Sequence, residues 1–538
     1  MNDATHRPVA ADPAAQRQGW LEDTLMVAAL AAVWLAALAW ARPLMLPDEG
    51  RYVGVAWEML RSGEWLTPTL NGMPYFHKPP LMAWITAGAM AALGPHAWAA
   101  RAAPLLGAWL AVLALYVFAR RWSSGGIAKR SALVLVMQPM VYLAAQFANL
   151  DMLVAGCISA TVLGWAHAAL RFEQGQPSPA VRDGAYALAA LGVLAKGLIG
   201  VVLPVLVIVA WLAWRRRWST LRALLSWRGA LLFAVLAVPW FVLMQWRYSG
   251  FLDYFFIVQH VQRFAGSGFN NVQPFWFFPV VLALLWLPFL PWLRPALAGA
   301  FYRDAERGAV RQLMAVWAGV VVLFFSLPES KLVGYVLPSA PPLAYLVADA
   351  VAARWGSAPA VWPRRWWGLS VALAAAVGLG VVVALAIEPR RSTRELGEAL
   401  AQVQRGAEPV YMVQGYYFDL PLYARLQSPV HVVEAWSSPE AQRRDTWRKE
   451  LLDARRLAGA PQPPWLSEPG AWPAALCQAP VNWVIGPANA ADRHPFLRHD
   501  NEVARLRGTT LWRVVTDPGS PAAVLRCPAA STEESSGR

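Results

Sequence analysis

Long apolar runs separated by short charged segments fill the first three-quarters of the chain. A helix needs roughly 20 apolar residues to cross a bilayer. Runs of about that length occur at 24–41, 99–119, 131–148, 152–170, 228–246, 275–293, 312–327, 332–351 and 366–387. The run 184–214 suits a hairpin of two shorter helices bent at Lys196-Gly197. The run 81–94 is too short to cross and reads as interfacial or re-entrant. Beyond residue 387 the pattern changes. Val410-Tyr411-Met412-Val413, Val430-His431-Val432-Val433, Trp483-Val484-Ile485 and Leu511-Trp512-Arg513-Val514-Val515 predict short strands, and 446–457 predicts a helix. The chain is therefore read as a polytopic α-helical membrane protein of about eleven spans with a small C-terminal α/β domain. Its divisions are a tail at 1–23, a membrane domain at 24–387 with a loop at 42–98, the α/β domain at 388–530, and a disordered end at 531–538. No internal repeat of fixed period is present.

Composition supports the membrane reading. Of 538 residues, 57% are hydrophobic and 15% charged, where a soluble domain carries about a quarter. The formal charge of +14 comes almost wholly from Arg. No basic patch interleaves with a soluble fold, so the charge reads as cytoplasmic anchoring and not as nucleic-acid binding. With a cytoplasmic N-terminus and 81–94 not crossing, Arg120, Arg121, Lys129 and Arg130 fall on the inner side. So do Arg215, Arg216, Arg217, Arg222, Arg303, Arg307, Arg311, Arg354, Arg364 and Arg365. An odd number of spans then leaves the tail outside. The first span lacks a small-residue cleavage site and reads as an uncleaved signal anchor. Cys157 lies in an apolar run as a packing residue. Cys477 and Cys527 share the polar tail and would form one disulfide if that tail is outside the cytoplasm.

This topology gathers the rare ionisable groups on one face. They are the loop 48–78, Asn149 to Asp151, Lys196, the loop 248–274 and Glu329-Ser330-Lys331. Asp48 and Glu49 are adjacent acids beside Arg51 and Tyr52; such a pair also suits a helix start. Lys78 precedes two prolines, which stiffen a phosphate contact, though a lysine here also snorkels. Asp151 opens a span, where the helix dipole favours an acid. Lys196 sits amid apolar residues and needs an anionic partner. His77 and His260 are the candidate metal ligands, but two isolated histidines read as ordinary loop residues. There is no Walker loop, glycine fingerprint or serine nucleophile elbow, which argues against a nucleotide-driven pump or a serine hydrolase.

Pro47-Asp48-Glu49-x-Arg51-Tyr52 and Tyr75-Phe76-x-Lys78-Pro79 together resemble the lipid A aminoarabinose transferases. These are protein O-mannosyltransferase-like membrane glycosyltransferases of the GT-C fold, with about 11–13 spans. Leu150-Asp151, Ala195-Lys196-Gly197, the run 259–264, Pro274-Phe275-Trp276, Phe324-Phe325-Ser326 and Lys331-Leu332-x-x-Tyr335-x-Leu337-Pro338 follow in the family's order. Gly50 stands where many members carry Thr, and His77 where an acid is frequent.

The resemblance implies a bacterial inner-membrane enzyme with a periplasmic active site and no cofactor. Its donor would be a polyprenyl-phosphate-linked sugar and its acceptor lipid A or another envelope glycolipid. The resemblance implies catalytic roles for Asp48 and Asp151, with Glu49 beside them. It implies donor-phosphate contacts from Lys78, Arg263 and Lys196, and substrate contacts from Arg51, Tyr52, Tyr75, Tyr335 and Lys331. Transfer to Ser or Thr of a periplasmic protein is the alternative within enzymes. A lipid transporter is the alternative outside them, disfavoured because its ionisable groups would sit near midplane.

Overall fold

Pro139 marks the first place where local chemistry shapes the fold. Proline lacks an N–H and clashes with the preceding turn, so the apolar run at 131–148 breaks there. Helices Gly125–Met137 and Pro139–Ala145 meet at 63°, with the Gln138 side chain capping the second. The run at 275–293 also breaks, near Pro288 and Pro291, into Phe277–Leu285 and a 3₁₀ segment Leu290–Leu297 at 118°. The computed structural model describes residues 13–262, 271–355, 361–389, 391–459, 461, 463–517, 520–525 and 527. The expected disordered end lies outside them.

Among the described residues seven helices are long and apolar enough to cross a membrane, or nine when each bent pair counts as one span. The hairpin Pro179–Lys196 and Ile199–Trp214 matches the two shorter helices expected at 184–214. With it, each of the eleven expected spans has a helical counterpart. The hairpin turns at Gly197, whose φ of +94° suits a residue without a Cβ. Its arms touch backbone to backbone: a Cβ on Gly200 would lie 2.1 Å from the Gly192 carbonyl carbon. The expected short segment is the thirteen-residue helix Leu81–Leu93. Helix Leu150–Glu173 is buried along most of its length and forms the centre of the bundle.

The loop after the first span is built of helix Asp48–Ser62 and a two-stranded hairpin, β1 (Thr69–Leu70) and β2 (Met73–Pro74). Buried Glu58 holds the hairpin turn, accepting the Asn71 N–H at 2.5 Å and the Gly72 N–H at 2.9 Å. The C-terminal domain is a six-stranded sheet. Its strands are β3 (Val410–Val413), β4 (His431–Val433), β5 (Leu466–Ser467), β6 (Val481–Pro487), β7 (Glu502–Leu506) and β8 (Thr509–Val515). Their order is β5-β4-β3-β6-β8-β7. The first four are parallel, and β8 and β7 are antiparallel. Helix Trp447–Ala458 is the one expected at 446–457. Cys477 and Cys527 form a disulfide, and Cys157 is free and buried.

This domain sits directly on the first loop. Asn71 exchanges two hydrogen bonds with the Val430 backbone, at 2.9 and 2.8 Å. The Leu44 N–H donates to the Tyr423 hydroxyl at 2.8 Å. Gly50 lies under the domain: a Cβ there would meet the Asp419 nitrogen and the Phe418 Cβ, each at 2.9 Å. A side chain at position 50 would therefore need the domain to shift.

Candidate active site

Two helix starts and one helix end converge beneath the C-terminal domain. Asp48 opens helix Asp48–Ser62, and Asp151 lies in the first turn of Leu150–Glu173. Asn149 caps the latter, its side-chain oxygen accepting the Asp151 N–H at 2.6 Å. Lys196 ends the first arm of the hairpin. Carboxylates at helix starts and a cation at a helix end each sit on the favourable pole of the helix dipole.

These groups surround a polar chamber of about 500 Å³. Its floor is Asp151, Lys196 and Tyr335; its side wall is Asp48, Arg51, Tyr52, Tyr75, His77 and Lys78. Lys196 forms an ion pair with Asp151, and its ammonium lies 4.5 Å from the centroid of the Tyr335 ring. Tyr335 comes from the 3₁₀ segment Val333–Ser339. Gly334 before it leaves room for Asp151, since a Cβ there would lie 2.3 Å from Asp151 Oδ2.

The roof comes from the C-terminal domain, through Tyr416, Phe418, Asp445, Thr446, Trp447 and Glu450. Glu450 reaches in to form an ion pair with Arg51, Nε to Oε2 3.1 Å, and to accept from the Tyr75 hydroxyl at 3.3 Å. Arg51 also contacts Asp48 at 3.2 Å and lies over the Phe418 ring. Burial lowers the Arg51 guanidinium most, but Glu450, Tyr75, Tyr52 and Asp48 together outweigh it and raise the group above its ordinary value. Burial, then Glu450, pushes the Tyr75 hydroxyl well up, so it stays protonated as a donor.

A second, apolar cleft of about 380 Å³ shares Lys78, Asp151, Lys196 and Tyr335 with the chamber. Its remaining walls are mostly apolar, including Val154, Ile158, Ile199, Val202, Phe324 and Phe325. Two lysines therefore stand where a polar space meets a greasy one. An amphiphile with an anionic head and a long hydrocarbon tail fits that junction, head on the lysines and tail along the cleft.

Two expected residues stand elsewhere. Glu49 faces away from the chamber, fully buried between Arg42 and Arg101, so it has no access to a substrate. Burial raises its carboxyl, but Arg101 and Arg42 together hold it below the ordinary range. Lys331 is also buried and donates to the Gln273 carbonyl at 2.8 Å and to the Pro328 carbonyl. It ties the loop at 328–331 to the segment at 271–273. His77 lines the chamber, stacked on Tyr75 at 4.6 Å between ring centroids. Arg263 and the His260 side chain lie outside the described residues. Sequence reading missed the roof, above all Glu450. Its one local signal is an acid on the same helix face as buried Leu451 and Ala454, where a carboxylate needs a partner.

Comparison with known proteins agrees with this architecture. The family model for dolichyl-phosphate-mannose-protein mannosyltransferases matches residues 42–255. An undecaprenyl phosphate-alpha-4-amino-4-deoxy-L-arabinose arabinosyl transferase of Pseudomonas fluorescens is 31% identical over 316 residues, covering 57% of this chain and 54% of its own. The protein of that name from Edwardsiella ictaluri is 34% identical over 328 residues, covering 58% of this chain and 56% of its own. The matched stretch thus spans little more than half of these relatives. Among solved structures, ArnT of Cupriavidus metallidurans bound to undecaprenyl phosphate superposes with a TM-score of 0.77 at 24% identity, covering 92% of this chain and 98% of that one. The archaeal oligosaccharyltransferase AglB of Archaeoglobus fulgidus gives 0.51 at 14% identity, covering 88% and 70%. The resemblance read from the motifs holds, and the fold is the GT-C fold of these membrane glycosyltransferases.

Proposed function

We propose that this protein moves an aminoarabinose-like sugar from undecaprenyl phosphate to a phosphate of lipid A, or of a related envelope glycolipid, at the periplasmic face. The observation that carries this reading is the junction of the chamber and the apolar cleft at Lys78, Asp151, Lys196 and Tyr335. A polyprenyl phosphate has the required shape: a long apolar tail bearing an anionic head. The names of the relatives supply the donor class and the aminosugar. The disulfide in the C-terminal domain supports an oxidising compartment for the chamber.

The reaction is a displacement at the anomeric carbon. The acceptor oxygen forms a bond to that carbon as the bond to the lipid phosphate oxygen breaks, and undecaprenyl phosphate leaves with the electron pair. Charge grows on the departing phosphate, and Lys78 and Lys196 stand ready to stabilise it. Arg263 joins them by the family resemblance. Lys196 is paired with Asp151 and lies over the Tyr335 ring, contacts that fix its place at the junction. A phosphate acceptor is already anionic and needs little general-base help. Asp48 then orients the acceptor or the amine of the sugar; toward a hydroxyl acceptor it is the base.

The test is mass spectrometry of lipid A from cells with and without the protein, and with Asp48→Asn. A pentosamine increment that vanishes in the variant is expected. Unmodified lipid A beside newly glycosylated periplasmic protein would overturn the acceptor assignment.

A further inference from the structure

Glu49 accepts five hydrogen bonds beside the chamber, yet it lines neither the chamber nor the apolar cleft. Arg101 donates to it twice, at 2.9 and 3.3 Å, and Arg42 once. Two backbone N–H groups also donate to it, from Met45 at 2.9 Å and Ala148 at 2.8 Å. The remaining guanidinium hydrogens of Arg101 are used as well. Arg101 donates to the carbonyls of Ala39, Arg42 and Pro43, and Arg42 to those of Pro43 and Gln146. Glu49 and Arg101 are both fully buried.

The network joins two pieces of chain that no regular element connects. One is the turn after the first span, leading into Asp48, which is the covalent neighbour of Glu49. The other is the segment 146–149, leading into Asn149 and the helix start that carries Asp151. Glu49 grips that second segment at the Ala148 N–H, and Arg42 grips it at the Gln146 carbonyl. Asp48 thus lies one residue from the clamp and Asp151 three residues from it, on opposite sides.

We propose that Glu49 is a positioning residue that fixes the placement of Asp48 relative to Asp151, with Arg42 as its bridge to the Asp151 segment. This rests on the transferase reading for its effect on rate, but the structural coupling stands without it. A displacement of about 1 Å between reacting groups costs on the order of a hundredfold in rate. A clamp built from charge-assisted hydrogen bonds resists such a shift.

The test uses full-length protein in nanodiscs, with E49Q and the gentler R42K. Lysine keeps the charge of Arg42 but cannot fork to Glu49 and Gln146 together. For R42K we expect a folded protein with a melting temperature near wild type and faster hydrogen exchange at 146–151. Its kcat should fall at least about tenfold with KM for the polyprenyl-phosphate sugar within about twofold. E49Q should exceed R42K in both effects; if it does not fold, R42K carries the test. Unchanged exchange at 146–151 in R42K would overturn the coupling. Faster exchange there with kcat within about twofold of wild type would overturn the positioning role. If wild-type protein turns over no polyprenyl-phosphate sugar, the transferase reading fails, and the exchange measurement still decides the clamp.

Discussion

Asp48 and Glu49 differ by one methylene and one position, and the fold gives them separate environments. Consecutive residues on a helix point about 100° apart, so one faces the chamber and the other faces Arg42 and Arg101. That division was not legible in the sequence, because Arg101 lies 52 positions away. What was legible was the oddity of ionisable residues in so apolar a chain, and Asp48, Lys78, Asp151 and Lys196 do converge. Lys196→Met strands a nearly buried carboxylate and should destabilise the protein by roughly 3–5 kcal/mol. Adding Asp151→Asn should restore most of the melting temperature without restoring transfer. Recovery of both would mean that the pair serves folding alone.

Helices were easier to read than their breaks. Hydrophobic period and length placed each expected span, and the Lys196-Gly197 bend followed from a charge and a glycine amid apolar residues. The bends at Pro139 and between Leu285 and Leu290 were missed because apolar runs continue through both prolines. In the C-terminal domain the hydrophobic strands β3, β4, β6 and β8 were legible. The two-residue β5 and the polar edge β7 carry too little pattern. Gly334→Ala would drive a Cβ into Asp151 Oδ2 and should cut transfer at least about tenfold by displacing that carboxylate. A purified variant with a wild-type rate would show that the Asp151 position is not critical.

Across the whole molecule, the C-terminal domain is the roof of the chamber, and its stability bears on activity. The Cys477–Cys527 bond closes a loop of 50 residues. Chain entropy gives such a link about 4 kcal/mol, so Cys477→Ser with Cys527→Ser should lower the melting temperature of that domain, followed by calorimetry. His431 adds a pH dependence. Burial holds its imidazole below the ordinary value, stacked on Tyr411 at 4.7 Å. The folded state therefore binds the proton less readily than the unfolded one. Its stability contribution is complete above about pH 6.5 and declines as pH falls toward the lowered folded value. His431→Phe should flatten that decline, and an unchanged pH profile would remove His431 as its source.

The proposed reaction requires a polyprenyl phosphate at the junction of the two cavities. The most direct measurement is undecaprenyl phosphate binding to purified protein in nanodiscs, by native mass spectrometry, for wild type and for Lys78→Ala with Lys196→Ala. We predict saturable binding by wild type that weakens at least about a hundredfold in the double variant, as loss of two charge-assisted phosphate contacts requires. Equal binding by folded double variant and wild type would place the lipid head elsewhere and overturn the donor site proposed at Lys78 and Lys196.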